Sequence, residues 1–179
     1  MQFYQEFSQY YDDIFPLKKE KLDFLAESAF TTGKNLDVAA GTGSYALALA
    51  AKEYLVKGID LSSEMINFAR EKAADKNLEN IGFKIGNMKN LASIYSDEKF
   101  NFIYCIGNSL VHLNNLLEIT EVLHQFNNLL VDDSKLIIQI VNYNRILSQK
   151  VTSLPTIHNE EKQVKLIRNY EIREEVDKV

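Results

Sequence analysis

The feature that most constrains the fold is a short apolar strand that runs into two closely spaced glycines and then into a helix. Residues 35–40 read Asn-Leu-Asp-Val-Ala-Ala, Gly41-Thr42-Gly43 follow, and residues 44–54 have the apolar spacing of a helix. Glycines at such a turn let a ligand approach the backbone closely, because no Cβ stands in the way. The segment predicts a ligand site at the carboxyl end of a buried strand.

Apolar strands and amphipathic helices alternate along most of the chain. The pattern predicts helices at 18–30, 44–54, 62–77 and 113–130, and strands at 35–40, 55–61, 81–86, 100–107 and 134–143. Gly33 suits the left-handed position after the first helix, and Ser62 or Ser63 can cap the third. Near-continuous apolar strands need cover on both faces, and strands that alternate with helices build a parallel sheet. We expect an α/β fold with a doubly wound, mostly parallel sheet and a ligand at the switch point of strand order.

Composition and charge narrow the classes of function. Apolar residues make up 46% of the chain and charged residues 25%, which is typical of a globular domain. The net charge of −5 with scattered basic residues disfavours nucleic acid, and no apolar run is long enough to span a membrane. The single cysteine, Cys105, fits a reducing compartment and lies in an apolar run typical of a buried structural thiol. We expect a cytoplasmic protein, monomeric or homodimeric, that acts on a small molecule.

Two acidic residues accompany the glycine turn. Asp60 ends the next strand, where a carboxylate can accept both hydroxyls of a ribose. Asp37 lies within the first strand, where an anion opposes a pyrophosphate and suits a ligand with a sulfonium and an ammonium. Asp37 can alternatively serve only to bind the N–H groups of the loop. Gly41, Gly43 and Ala46 also satisfy the G-x-G-x-x-A form of dinucleotide sites, so a nicotinamide-dependent oxidoreductase stays open as an alternative.

Four segments, in order, resemble the motifs of class I S-adenosylmethionine-dependent methyltransferases. They are residues 36–43, 58–65, 85–88 and 100–103, within a match of roughly residues 3–145. The resemblance implies a Rossmann-like methyltransferase fold and S-adenosylmethionine as the cofactor, with Asp60 on the ribose and Met65 near the adenine. The cofactor-binding residues that it implies are Tyr11, Asp37, Ala39, Gly41, Thr42, Gly43, Asp60, Leu61, Met65, Asn87, Met88 and Ile106.

Three positions depart from the family pattern. Asn87 stands where an Asp usually accepts a hydrogen bond from the adenine amino group, and its amide oxygen can accept that bond without charge, at some loss of affinity. Ala39 occupies a glycine-like position of the first motif, a common replacement. Asn101 also replaces an Asp, and we expect its role to be structural.

The acceptor side is indicated by residues 105–113 and 142–147, which look like the corresponding stretches of glycine N-methyltransferase-like enzymes. The resemblance implies a small amine or amino-acid-like acceptor. Arg145 is a candidate for binding an acceptor carboxylate, and the alternative is that it caps a turn or stays solvated. A protein that binds the cofactor without turnover is the second functional hypothesis.

Three residues are candidates for the catalytic step. Asn108 follows the fourth strand and can orient the acceptor, and His112 can contact the cofactor or act as a base for an ammonium nucleophile. In the family that the chain resembles, an N-terminal tyrosine closes over the methionine end of the cofactor, and Tyr11 is that candidate. The alternatives are a local cap for His112 and a packed aromatic cluster for Tyr11. No set of residues has metal-ligand spacing, so no metal is predicted.

The C-terminal part departs from the alternation. We expect one domain, with an N-terminal lid and helix at 1–33, a cofactor-binding core at 34–147, and a loop and edge strand at 148–179. The family usually continues with an antiparallel hairpin, and residues 163–176 alternate like its outer strand. The sequence therefore predicts a truncated chain that lacks this hairpin, with 163–176 left without a partner and open strand edges.

Overall fold

The computed structural model describes residues 2–171, with side chains from Ser8 onward. Its strands are β1 (Lys34–Val38), β2 (Leu55–Asp60), β3 (Ile81–Ile85), β4 (Phe100–Cys105), β5 (Leu130–Ile138), β6 (Ser153–Asn159) and β7 (Val164–Asn169). Its helices are α1 (Gln2–Ile14), α2 (Lys19–Ser28), α3 (Ser44–Ala50), α4 (Ser63–Asp75), α5 (Leu91–Ile94), α6 (Leu116–Leu129) and α7 (Tyr143–Ser148). Single-turn 3-10 helices lie at Met88–Asn90 and Leu110–His112.

Five strands form the main sheet in the order β3-β2-β1-β4-β5, and every neighbouring pair in it is parallel. The chain moves outward from β1 through β2 to β3, then returns to the other side of β1 for β4 and β5. This reversal creates a crevice between β1 and β4 at the carboxyl ends of the strands. The doubly wound, parallel α/β prediction is confirmed, and the glycine turn lies at the switch point.

Side-chain caps fix the first residues of α4 and α6. The Ser62 hydroxyl accepts a hydrogen bond from the Met65 N–H at 3.2 Å and starts α4, as predicted for this serine or its neighbour. Helix α6 starts later than predicted, because the Asn115 side chain accepts from the Glu118 N–H at 2.9 Å and so fixes Leu116 as the first helical residue.

Gly33 does not adopt the left-handed conformation that its place after α2 suggested, since positive φ among the glycines is confined to Gly41, Gly43 and Gly107. A Cβ at Gly33 would instead overlap the side chain of Asn101. The Asn101 amide oxygen accepts from the Lys34 N–H at 3.1 Å and holds the start of β1. Asn101 thus makes the structural contact expected of it.

The core lies in two layers, one on each face of the main sheet. Residues from α2, α3 and α4 cover one face, with Leu25 and Ile66 fully buried. Residues from α5 and α6 cover the other, with Leu91 and Phe126 fully buried. Burial of each such side chain is worth about 1.5–3 kcal/mol, so the two layers hold the crevice on a rigid base. Cys105 belongs to the second layer, and burial raises the pKa of its thiol to about 12, as expected of an inert structural cysteine.

The C-terminal part corrects the sequence prediction. Residues 153–159 were expected to be a loop, yet they form β6, which pairs antiparallel with β7 in a separate two-stranded sheet. The prediction that the last strand has no partner is therefore wrong, because the partner precedes it. Within the described residues the main sheet ends at β5 and includes neither strand of this hairpin, as expected of a chain without the family's hairpin beside the fifth strand. A register shift between Leu154 and Ile157 accommodates Pro155, which cannot donate to a ladder. Residues 172–176 of the predicted strand lie outside the described residues.

Strand β5 is an edge strand of the main sheet, and its position explains a second difference. The apolar run at 134–143 was expected to be a fully covered strand, but β5 ends at Ile138 and pairs only with β4 in the described part of the chain. Leu136 is 38% exposed and Ile140 is 50% exposed. Within residues 2–171, none of the helices combines the length and apolar character needed to cross a membrane.

Candidate active site

The glycine turn between β1 and α3 is built from left-handed backbone. Ala39, Gly41 and Gly43 have φ values of 61°, 56° and 75°. For alanine this conformation costs about 1–2 kcal/mol, so Ala39 is strained where a glycine would not be. Strain of this kind persists where the surrounding structure enforces it, often at a ligand site.

Asp60 braces this turn from the end of β2. One of its carboxylate oxygens accepts the Gly41 N–H at 2.8 Å, and the other accepts the Ser62 N–H at 2.9 Å. The two bonds fix the orientation of the carboxylate and leave further lone pairs on both oxygens. The residue predicted to bind a ribose is thus held in place by the backbone.

The Asp37 carboxyl group is buried beneath the turn, with 2% of the residue exposed. Burial raises its pKa well above the usual value, the Asp60 carboxylate adds to the rise, and the Tyr104 hydroxyl opposes it. Among the contacts of residues 2–171, the turn donates to Asp60 through the Gly41 N–H and to Asp12 through the Thr42 hydroxyl, and not to Asp37. The alternative role of Asp37 as a brace of the loop therefore has no contact to support it.

A smaller cavity of about 230 Å³ lies beside the turn, on the β2 and β3 side. Of the predicted site residues, those that line it are Ala39, Asp60, Leu61, Asn87, Met88 and His112. Met65, predicted near the adenine, is 5% exposed and is not among the lining residues. The structure thus brings the predicted ribose and adenine contacts to one cavity, apart from Met65.

Asn87 is the N-cap residue of the 3-10 helix that follows β3. Its amide oxygen accepts the Lys89 N–H at 2.9 Å, which caps that helix. One lone pair of this oxygen stays available, so the predicted hydrogen bond from an adenine amino group is compatible with the cap. Lys89 in turn forms an ion pair with Glu118 at 2.9 Å across the cavity wall.

A larger cavity of about 610 Å³ lies on the other side of the turn, between α1, the start of α2 and the hairpin. The predicted site residues that line it are Tyr11, Asp37, Ala39, Thr42 and Ile106. Ala39 lines both cavities, so the two meet at the strained residue of the turn. Within residues 2–171, no cluster of three acidic, histidine or cysteine side chains could hold a metal ion.

Tyr11 covers the glycine turn from α1. A Cβ added to Gly41 would lie 3.4 Å from the Tyr11 ring, so the ring and the turn are nearly in contact. Burial raises the pKa of the Tyr11 phenol to about 12, and the carboxylates of Asp60, Asp37 and Asp12 add to the rise. The phenol therefore stays protonated near neutral pH and can act there as a hydrogen-bond donor.

Asp12 is a residue of the site that the sequence analysis missed. Its carboxylate accepts hydrogen bonds from the Thr42 hydroxyl at 2.5 Å, the Ser44 hydroxyl at 2.7 Å and the Lys72 ammonium at 2.7 Å. Burial acts to raise the pKa of Asp12, but the bonds from Lys72, Thr42 and Ser44 outweigh it and hold the pKa below its usual value. Asp12 thereby ties α1 to the glycine turn and to α4.

We expect the substitution Asp12→Asn to loosen α1. Because the pKa of Asp12 is lowered in the folded state, its contribution is present at neutral pH and is lost as the pH falls through that lowered value. Hydrogen exchange read by mass spectrometry should show protection of the α1 amides falling severalfold in the variant at pH 7. The wild type should approach the variant below about pH 4, the usual aspartate range. Asp13→Asn is the matched control, and equal loosening in both variants would contradict the tie.

Asn108 lies in the loop after β4 with a left-handed φ of 73°. Its amide oxygen accepts the Val141 N–H at 2.9 Å, and its amide nitrogen donates to the Tyr143 hydroxyl at 2.8 Å. Asn108 therefore ties the loop after β4 to the segment before α7, and it does not line either cavity described above. Its predicted role of orienting an acceptor stays a prediction.

His112 and Arg145 lie apart from the larger cavity. His112 ends a 3-10 helix and lines the smaller cavity, beside the predicted ribose and adenine contacts. Arg145 lies in α7, where its backbone N–H donates to the Asn142 side chain at 3.0 Å. Neither position brings a side chain next to Asp37 and Tyr11.

Comparison with known proteins assigns residues 31–176 to a family described as a methyltransferase domain. A glycine/sarcosine N-methyltransferase of Aphanothece halophytica is 30% identical over 132 residues, which cover 69% of this chain and 46% of that protein. A putative methyltransferase of Bacillus subtilis is 30% identical over 120 residues, covering 66% of this chain and 47% of that protein. The chain spans about half the length of these relatives.

Solved structures share the fold. An S-adenosylmethionine-dependent methyltransferase from Clostridium acetobutylicum matches with a TM-score of 0.70 at 24% identity, over 88% of this chain and 65% of that one. A protein from Pyrococcus horikoshii matches with a TM-score of 0.64 at 24% identity, over 84% of this chain and 72% of that one. These likenesses agree with the parallel sheet and its switch-point crevice.

Proposed function

The chain belongs to the methyltransferase-domain family, and on that premise we propose that it transfers a methyl group from S-adenosylmethionine to a small-molecule acceptor. The observation that carries the proposal is a buried carboxyl group, Asp37, beneath a left-handed glycine turn where two cavities meet. Within the part of the chain that the structure describes, no hydrogen bond from the loop reaches this carboxyl group. A cationic ligand stabilises the ionised form of that carboxyl group, whereas an anionic pyrophosphate would raise its pKa further and give it no ion-pair partner.

The residues present fit this cofactor. The smaller cavity offers Asp60 for the ribose hydroxyls and Asn87 for the adenine amino group. The larger cavity offers Asp37 for the positively charged methionine end, with Tyr11 closing over it. When bound, S-adenosylmethionine supplies a methyl group already activated by its sulfonium.

The work left to the chain is positioning and exclusion of water. Holding a nucleophile in line with an activated group can contribute roughly 7–11 kcal/mol of the barrier. Tyr11 lines the larger cavity from α1, which Asp12 ties to the glycine turn, and Ile106 and Ala39 add apolar lining. The Tyr11 phenol, with a pKa raised to about 12, acts as a hydrogen-bond donor and not as the base.

We further propose an amine acceptor, in line with the similarity to a glycine/sarcosine N-methyltransferase. An ammonium must lose a proton before it can attack, and solvent at the open end of the larger cavity can take it. His112 lines the smaller cavity, a position that favours contact with the cofactor over the role of base. Asn108 then orients the acceptor indirectly, because its hydrogen bonds to Val141 and Tyr143 hold the loop after β4 in place.

The acidic net charge supports a small acceptor over a nucleic acid, and we place the activity in the cytoplasm, in a monomer or homodimer. The nicotinamide-dependent alternative loses support, because Asp37 would face a pyrophosphate. Formation of S-adenosylhomocysteine from S-adenosylmethionine and an amine would distinguish a methyltransferase from a protein that only binds the cofactor.

Calorimetric titration with S-adenosylhomocysteine, with NADH as the control, tests the cofactor. We expect micromolar binding of the first and none of the second, and the reverse would overturn the proposal. Incubation with S-adenosylmethionine and a panel of small amines should then form S-adenosylhomocysteine. Tight binding with no product from any amine would favour a binding protein without turnover.

A further inference from the structure

Tyr104 is a fully buried tyrosine beside Asp37 that methyl transfer as described above does not use. The two residues are paired in register on the neighbouring parallel strands β4 and β1, whose backbones are about 4.7–4.9 Å apart. Tyr104 packs in the core layer beneath α2, α3 and α4. Leu36 and Val38, on either side of Asp37, pack in the opposite layer. Since side chains alternate along a strand, the Tyr104 ring and the Asp37 carboxyl group share one face of the sheet.

The Tyr104 hydroxyl is left unsatisfied by the core around it. It has no contact with solvent, and it forms no well-aligned hydrogen bond within residues 2–171. A buried donor without a partner costs free energy, so such a group requires an explanation. Burial and the neighbouring Asp37 carboxyl group raise the pKa of this phenol well above its usual value. The hydroxyl therefore stays protonated and is able to donate a hydrogen bond.

The acceptor beside this hydroxyl is the Asp37 carboxyl group. Burial raises the pKa of Asp37 and the Asp60 carboxylate adds to the rise, whereas contact with the Tyr104 hydroxyl opposes it. The other titratable groups that face Asp37 are Tyr11 from α1 and Cys105 from β4, and the pKa values of both are raised, chiefly by burial. Among the described residues, Tyr104 is thus the group that favours the ionised form of Asp37.

Asp37 separates Tyr104 from the space that a ligand can occupy. Asp37 lines the larger cavity, whereas Tyr104 lines neither of the two cavities. A ligand cation can therefore meet the carboxyl group from the cavity, and the Tyr104 hydroxyl can meet it from the core. Because a hydrogen bond to a carboxylate is stronger than one to a neutral acid, ionisation of Asp37 gives the buried hydroxyl a better acceptor than it has in the ligand-free protein.

We propose that Tyr104 is a positioning residue of the site, whose hydroxyl donates to the Asp37 carboxylate from the core while a ligand cation meets that carboxylate from the larger cavity. This inference rests on the proposed methyl transfer and deepens it, since Tyr104 touches neither cofactor nor acceptor and acts through Asp37. Hydrogen bonding to the charged form of an acid favours that form. Tyr104 therefore helps to set the pH above which the site binds its cationic cofactor.

Tyr104→Phe removes the hydroxyl and keeps the ring, so it tests this role directly. The measurement is the ratio of the wild-type affinity to the variant affinity for S-adenosylhomocysteine, by calorimetry, across the pH range in which Asp37 titrates. We expect a ratio of at least about tenfold at the low end of that range, because the variant must ionise a weaker acid to bind the ligand. The ratio should fall toward one at the high end, where Asp37 is already ionised in both proteins.

Two further variants assign the effect to the contact with Asp37. Tyr95→Phe is the matched control, since Tyr95 is also buried and its hydroxyl has no hydrogen-bond partner among the described residues, but it packs in the opposite layer of the core. This variant should keep the wild-type affinity within about twofold at every pH. In the Asp37→Asn background, Tyr104→Phe should change the affinity by less than about threefold, because the acid through which the hydroxyl acts is gone.

A second measurement needs no ligand. NMR of the aspartate carboxyl carbons in the ligand-free protein follows the titration of Asp37, whose signal is identified by its loss in Asp37→Asn. The midpoint of this titration should rise by about one pH unit or more in Tyr104→Phe, because the donor to the carboxylate is lost. It should stay unchanged in Tyr95→Phe.

The remaining outcomes overturn the proposal. An affinity ratio that stays constant through the titration of Asp37 would assign Tyr104 a purely structural role, and an equal midpoint shift in Tyr95→Phe would remove the contact as its cause. A lowered or unchanged midpoint in Tyr104→Phe would show that the hydroxyl does not donate to the carboxylate. Failure of the wild type to bind S-adenosylhomocysteine would contradict the proposed function, and the midpoints would then still decide whether Tyr104 favours the ionised form of Asp37.

Discussion

Replacement of Asp37 by Asn is expected to weaken S-adenosylhomocysteine binding by about 2–5 kcal/mol, which corresponds to at least about thirtyfold in Kd. The substitution keeps the size and shape of a side chain that is 2% exposed, and it removes only the ability to become an anion. The ammonium of the ligand then meets a neutral amide in a buried site, where an unpaired charge is costly. Calorimetric titration at pH 7 measures the loss.

The pH dependence of binding gives an independent check on the role of Asp37. The pKa of this carboxyl is raised well above its usual value in the ligand-free protein, so a cation that binds beside it promotes ionisation and releases a proton. Affinity of the wild type should therefore increase with pH until the raised pKa is passed. The binding enthalpy should also vary with the ionisation enthalpy of the buffer, and Asp37→Asn should abolish both effects.

Asp37→Asn should stabilise the ligand-free protein, although it weakens ligand binding. A carboxyl whose folded pKa is raised contributes stability below its unfolded pKa, and that contribution is lost as the pH rises through the folded value. We expect Asp37→Asn to unfold at a higher temperature than the wild type, by a margin that widens with pH. Asp75→Asn removes the same charge at an exposed position at the end of α4 and should affect neither binding nor this margin. Unchanged affinity in Asp37→Asn would reject the role of this residue in the site.

The parts of the fold that sequence predicts are those with local causes. The apolar run before Gly41, the serine cap at Ser62 and the acid at Asp60 each depend on a few neighbouring residues, and each lies where expected. Strand β6 was missed because Pro155 and its polar neighbours are typical of a loop. Only the pairing with β7, together with a register shift beside the proline, makes that segment a strand.

The parts of the site that sequence does not predict depend on contacts between distant segments. Asp12 reaches the glycine turn only because α1 folds back over it, and nothing in its sequence neighbourhood distinguishes it from Asp13. Lys21 and Arg168 come to one cavity through the packing of the hairpin, which the sequence analysis did not foresee. Asn108 was predicted to orient an acceptor, and its sequence neighbourhood does not show that its amide oxygen bonds the Val141 N–H and its amide nitrogen the Tyr143 hydroxyl.

The glycine turn also leads to the largest effect on stability that we expect. A Cβ at Gly43 would lie 2.6 Å from the Phe83 ring, and Gly43 has a φ of 75°. Gly43→Ala therefore incurs overlap, about 1–3 kcal/mol, and left-handed strain, about 1–2 kcal/mol. Gly58→Ala meets the same ring at 2.5 Å without a positive φ, so it incurs the overlap alone. Urea unfolding should show losses of about 2–5 kcal/mol for Gly43→Ala and about 1–3 kcal/mol for Gly58→Ala.

A smaller side chain at position 83 separates the two causes. In double variants with Phe83→Leu, the overlap is relieved, so Gly58→Ala should lose most of its additional cost while Gly43→Ala keeps its backbone strain. If the losses in unfolding free energy of the single variants simply add in the double variants, Phe83 does not pack against the two glycines. Because the Phe83 ring fills the space beneath the turn and leaves no room there for a Cβ, the glycines serve the packing of the core as well as the approach of a ligand. The turn is therefore fixed from below by the sheet, and a ligand can bind only on the side that faces Tyr11 and the two cavities.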